Sequence, residues 1–311
     1  MDPSSSDSPS NVGRRDFIKS LFGLGGVLDS TEKPSKPKAA AGGRTIFFWS
    51  DLETGQVGFP TGFMVEAGLP GSVMKLVTSA ALLEEKLVSP NDLIDCHGHT
   101  TIEGQTINCL LAHGKVDLVH ALALSCNVYF ATVSKSASQT LILDYAKKLG
   151  LGSSVGSIKS ALFPKPESGS AWTYALGLNP HLHPNALQLL RLSALIANRG
   201  DIPYLHSAEE NAAGKPRLKV ELSDLTWTRL QKGMEMAVRE GTAHKIDPQY
   251  EMRVAAKTGT APHGKKFQSW VTGYFPYDAP KYAFCLGATN GTSQESAIPK
   301  AKEFLFSAAW P

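Results

Sequence analysis

Strand-like segments stand at both ends of this chain, and helix-like segments fill its middle. That distribution limits the fold more than any other feature of the sequence. "RTIFFWSD" (44–51) and "QVGFPTGFMVEA" (56–67) are rich in aromatic and β-branched residues, with turn chemistry in "LETG" between them. "MRVAAKTGTA", "FQSWVTGYF" and "KYAFCLGATN" repeat the pattern near the C-terminus, separated by "PHGKK" and "PYDAP". A two-stranded ribbon is marginal in water. The early hairpin is therefore expected to join the late meander in one antiparallel, five-stranded sheet. Helical spacing runs through "SVMKLVTSAALLEEKLV", "LILDYAKKLGLG", "NALQLLRLSALIANRG", "SDLTWTRLQKGMEMAVREG" and the final "IPKAKEFLFSAAW". "DLVHALALSCNVYFATVSKSA" is apolar nearly all round, as a buried helix or helix-turn-helix would be. The expected fold is α/β of the α+β kind: a sheet flanked by helices, an all-helical lobe, and a cleft between the two as the place for a site.

The chain has 311 residues with 42% hydrophobic and 19% charged, enough for a sizeable core. A net charge of +3 and the lack of a dense basic stripe with interleaved aromatics exclude nucleic acid as the expected partner. No run of about 20 apolar residues offers an ordinary transmembrane helix. Residues 1–12 are polar, and "GRRDFIKSLFGLGGVL" follows them. Arg14 and Arg15 before a short apolar stretch resemble a twin-arginine export signal, although Gly13 stands where Ser or Thr is usual. "DSTEKPSKPK" reads as a flexible linker, and "AAAGG" (39–43) offers small residues for cleavage. The expected organisation is a tail over 1–43 and one domain over 44–311, exported to the periplasm or cell envelope.

"GLPGSVMKLVTSA" (68–80) places Ser72 at the start of a helix and Lys75 one turn in. Ser is an ordinary N-cap, and Ser30…Lys33 and Ser35…Lys38 match the same Ser-x-x-Lys spacing. Ser72 is therefore a cap or a nucleophile until its context is considered. Nucleophilic serine chemistry needs a base, oxyanion donors and a means of holding substrate. Ser72 and Lys75 share a helix face, and a Lys serves as base when burial and a second cation depress its pKa. "KTGTA" supplies that cation as Lys257 on a predicted strand. Gly259 there permits close backbone approach, and the hydroxyls of Thr258 and Thr260 point one way. Ser125 and Asn127 in "LSCNVYF" interrupt an apolar segment, which is unfavourable unless they have partners or a task. Ser89 and Asn91 repeat the Ser-x-Asn spacing in what reads as an exposed turn.

Each motif is weak singly; the ordered set Ser-x-x-Lys, Ser-x-Asn and Lys-Thr-Gly-Thr is far stronger. With "IEGQTINCLLAHGKVDLVHALALSCNVYF", "LQLLRLSALIANRG", "VREGTA" and "AAKTGTAPHGKKFQSWVTGYFP", the chain resembles the transpeptidase domain of penicillin-binding proteins, the class B kind in particular, over about residues 45–311. The resemblance implies a peptidoglycan D,D-transpeptidase of β-lactamase/transpeptidase-like fold, acting on stem peptides and acylated by β-lactams. It implies that Ser72 is acylated, that Lys75 is the base and that Ser125 relays a proton to the leaving amine. Asn127 would bind substrate amide, and Lys257, Thr258 and Thr260 would hold the terminal carboxylate. Backbone N–H groups of Ser72 and Thr260 would form the oxyanion hole. No cofactor is implied, and any cell-wall synthesis partners are unidentified. Class B members usually carry a long N-terminal pedestal and a membrane anchor; neither is read here, nor is a glycosyltransferase domain.

Three rival readings share these motifs. A D,D-carboxypeptidase differs only in the acceptor. A serine β-lactamase needs a placed base for deacylation, and "LFPKPESGSAWTYALG" offers Glu167 without the usual flanking pattern. A penicillin-sensing or scaffold domain acylates without turnover. "CHGHTTIEGQTINCLLAH" invites a zinc reading through Cys96, His97, His99, Cys109 and His113, but the spacing fits no standard finger. In an exported chain a Cys96–Cys109 disulfide is at least as well suited, and the expected site contains no metal. Cys126 and Cys285 read as core residues, and His181 and His183 as surface groups.

Overall fold

A computed structural model describes residues 43–58, 67–156, 169–307 and 310. The twin arginines, the linker, most of the proposed cleavage segment, the second strand beyond Gly58 and Glu167 lie outside the described residues.

Strands β1 (Thr45–Asp51) and β2 (Gln56–Gly58) lead into helix α1 (Met74–Glu84). Four short strands follow: β3 (Ile94–Cys96), β4 (His99–Ile102), β5 (Gln105–Asn108) and β6 (Gly114–Val116). The helical section holds α2 (Leu118–Ala123), α3 (Asn127–Val133), α4 (Gln139–Lys148), α5 (Ala171–Ala175) and α6 (Ala186–Ala197). Next come the two-residue strands β7 (Asp201–Ile202), β8 (His206–Ser207) and β9 (Leu218–Lys219), then helix α7 (Asp224–Arg239). The meander β10 (Ala255–His263), β11 (Lys266–Phe275) and β12 (Tyr282–Thr289) precedes the last helix α8 (Ile298–Ser307).

The two ends of the chain do meet in one sheet, of order β10-β11-β12-β1-β2-β8. β1 pairs antiparallel with β12, Thr45 opposite Ala288 and Asp51 opposite Tyr282. The expected five antiparallel strands are therefore present, and a sixth corrects the count. β8 adds to the edge parallel to β2, so the sheet is mixed. Two residues, His206 and Ser207, carry no alternation from which such a strand could be read.

Both faces of the sheet are covered. Ile46 and Phe48 face the large core shared with the helices, whereas Phe47 joins Val271, Phe284 and Leu286 against Ile298, Ala301 and Leu305 of α8. Phe47 stacks on Phe304 with centroids 4.7 Å apart. All eight residues of β12 are buried, as a strand covered on both faces requires.

α1 runs through the middle of the larger core, buried from Met74 to Leu83. Each fully buried Leu or Val contributes about 1.5–3 kcal/mol, which fixes the axis of the helix that carries Lys75. The helix ends at Glu84, short of the predicted Val88. Lys86 adopts φ 53°, Lys86 N–H donates to Leu83 O and Leu87 N–H to Leu82 O. That is a Schellman cap with Lys at the position glycine usually takes.

The apolar segment around residue 125 resolves as helix-turn-helix, α2 and α3. The segment 94–116, for which no strands were expected, forms two small ladders, β3–β6 and β4–β5. Glu103 (φ 48°) and Gly104 (φ 74°) make the tight hairpin turn between β4 and β5.

Candidate functional site: a serine between two buried lysines

Ser72 sits in a one-turn 3-10 helix, Gly71–Val73, that leads directly into α1. Neither it nor the residue before α1 makes a side-chain cap, so the N-cap reading of Ser72 fails. The turn is seated by close main-chain packing. Gly71 has φ 53°, and a β-carbon there would lie 2.6 Å from Thr260 O. A β-carbon on Gly259 would lie 2.4 Å from Pro70 O. The glycine of the Lys-Thr-Gly-Thr strand thus admits the turn that carries Ser72. Trp270 Nε1 donates to Leu69 O at 3.0 Å and holds the same segment from β11.

Lys75 is fully buried. Its Nζ donates to Asn127 Oδ1 (2.6 Å), to Ser125 O (2.7 Å) and to Ser125 Oγ (3.3 Å), and lies 5.5 Å from the centre of the Phe130 ring. Burial lowers its pKa from 10.5 to about 8, against the charges of Cys109 and Cys126, which act the other way. Lys257 is also fully buried, and its Nζ donates to Ser125 Oγ at 3.0 Å and to Thr258 O at 3.1 Å. Burial, then the nearby charge of Lys75, holds Lys257 well below the ordinary lysine range. Two ammonium groups thus converge on one hydroxyl, an arrangement that favours loss of a proton from one of them.

Ser125 reaches that position through a left-handed backbone, φ 54°, at the turn between α2 and α3. Such a conformation costs a non-glycine residue about 1–2 kcal/mol, and its neighbours hold it in place. Asn127 opens α3 and donates through Nδ2 to Asn108 O at 2.8 Å. Thr258 Oγ1 shares a hydrogen bond with Thr242 Oγ1 at 2.9 Å, and Thr260 Oγ1 accepts from Ser293 N–H at 3.0 Å. Lys75, Ser125, Asn127 and Lys257 therefore form one hydrogen-bonded group, and Gly259 and Thr260 abut the turn bearing Ser72.

The family model of the penicillin binding protein transpeptidase domain matches residues 51–307. The chain belongs to that family. Among curated relatives, the peptidoglycan D,D-transpeptidase MrdA of Haemophilus influenzae is 23% identical over 282 residues, covering 76% of this chain and 43% of the relative. The chain spans about two fifths of the length of the curated relatives it matches first. The D,D-transpeptidase domain of a peptidoglycan glycosyltransferase from Eggerthella lenta superposes with a TM-score of 0.72 at 20% identity, over 85% of this chain and 76% of that one. A complex between PBP2 and MreC from Helicobacter pylori gives 0.73 at 20% identity, over 86% and 61%. These solved structures share the fold.

Within this penicillin-binding fold, sequence reasoning missed four supporting residues. Thr242 lies in "VREGTA", a segment that carried the resemblance but received no role. Ser293 follows Thr292, whose capping box with Glu295 was legible as Thr-x-x-Glu. Asn108 had no local signal, and Cys109 was read as a zinc or disulfide candidate rather than as a support for Asn127, because both act on Asn127 across the fold. The anticipated Cys96–Cys109 bridge is not formed. All four cysteines are free thiols, and Cys109 Sγ faces Cys126 Sγ at 3.7 Å. The contact with Cys126 holds the Cys109 thiol below the ordinary thiol range, and the same contact, with burial, pushes Cys126 up. Cys285 is a buried core thiol as expected, raised by burial.

Proposed function

We propose that this chain is a peptidoglycan D,D-transpeptidase working through a Ser72 acyl-enzyme. The supporting observation is the convergence on the Ser125 hydroxyl of Lys257 and of Lys75, which lies one helical turn along the chain from Ser72. Ser72 Oγ attacks the penultimate D-Ala carbonyl of a stem peptide, and its proton passes to the neutral amine of Lys75. The oxyanion lies against backbone N–H groups of Ser72 and Thr260. Collapse breaks the D-Ala–D-Ala amide, and Ser125 relays a proton from the lysines to the departing amine. D-Ala leaves, and an ester to Ser72 remains. An amine of a neighbouring stem attacks that ester, a new amide forms, and Ser72 recovers its proton. Lys257, Thr258 and Thr260 bind the terminal carboxylate, and Asn127 the substrate amide. A β-lactam follows the first half and stops at the ester, since the leaving group stays tethered.

Export is part of the same proposal, since stem peptides lie outside the cytoplasm. Arg14 and Arg15 are its sequence support. Among the described residues no helix is long and apolar enough to cross a membrane.

Intact-protein mass after penicillin treatment tests the chemistry. The wild-type chain should gain one penicillin mass and keep it, and Ser72→Ala should gain none while remaining folded. A full-mass adduct on Ser72→Ala would overturn the assignment, and rapid penicillin turnover would favour the β-lactamase reading.

A further inference from the structure

Next to the Ser125 turn, four ligand-type side chains converge from separate parts of the chain. They are Cys96 at the end of β3, Cys109 just after β5, His113 just before β6 and Cys126 at the turn into α3. One donor atom from each lies within 4.8 Å of all the others. Cys96, Cys109 and Cys126 are buried, and His113 is half-buried. The five-residue reading of the sequence named only three of these four. His97 points instead to Asp95 at 3.7 Å with most of its surface exposed, and His99 is exposed. Cys126, read as a core residue, takes their place.

We infer that Cys96, Cys109, His113 and Cys126 form a closed, structural zinc site that holds the Ser125–Asn127 turn in place. The separations suit a tetrahedral ion. Zn–S bonds of about 2.3 Å and Zn–N bonds of about 2.0–2.1 Å give S···S edges of about 3.8 Å and S···N edges of about 3.6 Å. Cys109 Sγ to Cys126 Sγ is 3.7 Å, and Cys96 Sγ to His113 Nδ1 is 3.4 Å. Two of the sulfurs also accept backbone N–H groups. Cys109 Sγ accepts the N–H groups of Asn127 (3.1 Å) and Val128 (3.3 Å), and Cys126 Sγ accepts that of Tyr129 (3.3 Å). Backbone N–H donors on thiolates are the supporting contacts that such a centre requires. Three thiols cannot all be paired as disulfides within the group, whereas three thiols and an imidazole fill one tetrahedron. Three thiolates and one imidazole suit zinc among the common ions.

The location gives the ion its role. Cys126 is flanked by the two residues that contact Lys75, and Cys109 hydrogen-bonds the backbone of Asn127. An ion joining both sulfurs to Cys96 and His113 ties the strained Ser125 turn to the β3–β6 ladder. These residues are positioning groups, and that role rests on the function proposed above; the metal site itself does not.

The test begins with the full chain purified without chelator or an affinity tag of histidines. Elemental analysis should find one zinc per chain. After chelator stripping under reducing conditions, Co²⁺ should give thiolate-to-cobalt charge-transfer bands and tetrahedral ligand-field absorption. His113→Ala should lose most of the zinc while retaining secondary structure, and His113→Cys should keep it. Stripped protein should lose most of its penicillin acylation rate, and added zinc should restore it. Zinc well below one equivalent with no cobalt spectrum would overturn the proposal. So would an oxidised Cys109–Cys126 pair, seen as loss of two protons in the non-reduced mass. Equal acylation by stripped and loaded protein would overturn the positioning role. A zinc-loaded chain that no penicillin acylates would leave the metal site standing and remove the proposed function instead.

Discussion

Two turns carry the serines of the candidate site, and they are built from different materials. The turn carrying Ser72 is gripped by main chain: Gly71 N–H donates to Gly177 O at 3.1 Å, Gly68 N–H to Pro184 O at 3.2 Å, and Gly259 admits Pro70 O. The turn carrying Ser125 is gripped largely by side chains: two lysine ammoniums, Asn127 reaching to Asn108, and the sulfur of Cys109. Backbone contacts do not titrate and depend only on glycine being small. Amines and thiols depend on pH, redox state and ions. On the proposed function, the nucleophile is thus placed by the rigid half of the site, and proton transfer by the half that responds to conditions.

The comparison breaks most severely at Lys75. Lys75→Met keeps the stem packed but removes the proposed base, and acylation by penicillin should fall by about 10²- to 10⁴-fold. Stopped-flow acylation rates measure this, and a loss below tenfold would point to another base. The wild-type rate should rise with pH and level off above about 8, because burial keeps Lys75 neutral from there upward. The same shift has a stability consequence. Between about 8 and 10.5 the unfolded chain binds the proton that folded Lys75 has released, so this residue makes folding more favourable as pH rises through that window. A rate that does not rise as pH approaches about 8 from below would remove Lys75 from the proton-transfer step.

Gly259→Ala attacks the other turn. The new β-carbon meets main-chain oxygen rather than a flexible side chain, so overpacking of about 1–3 kcal/mol is expected. Thermal unfolding reads that loss, and acylation of the still-folded fraction should slow as Ser72 is displaced. Unchanged melting would mean that the two segments are not in contact.

The smallest effect separates backbone from hydroxyl at residue 125. Ser125→Ala and Ser125→Gly remove the same oxygen, but only glycine is at ease at φ 54°. Ser125→Gly should be more stable than Ser125→Ala by about 1 kcal/mol by denaturant unfolding. Equal stabilities would mean that the turn relaxes out of the left-handed region.

Much of this was legible because the informative residues are local. Asn185 and Gln188 cap α6, Ser223 caps α7, and Gly150 and Gly200 end their helices within a few residues of the pattern they punctuate. The three motifs were likewise readable as short strings. What stayed hidden depends on tertiary meeting. Cys126 joins Cys96 and Cys109 in one cluster because β3 and β6 fold the intervening hairpin back against α3. The contact of Gly259 with Pro70 stayed hidden because nothing in the sequence says that Pro70 approaches it. β8 went unseen because two residues make no period. Propensity speaks for neighbours in sequence, and these contacts join elements from remote parts of the chain.

The pairing of β1 with β12 also governs the order in which the molecule assembles. Thr45 has no partner on its β12 side until Ala288 exists. During synthesis the first strand must wait for nearly the whole chain, while the intervening helices collapse around α1. Contacts so far apart in sequence slow folding and leave an unpaired edge exposed in the meantime. A nascent or C-terminally truncated chain is therefore a natural client for chaperones, and refolding after denaturation should be limited by closure of the sheet rather than by formation of the helical lobe.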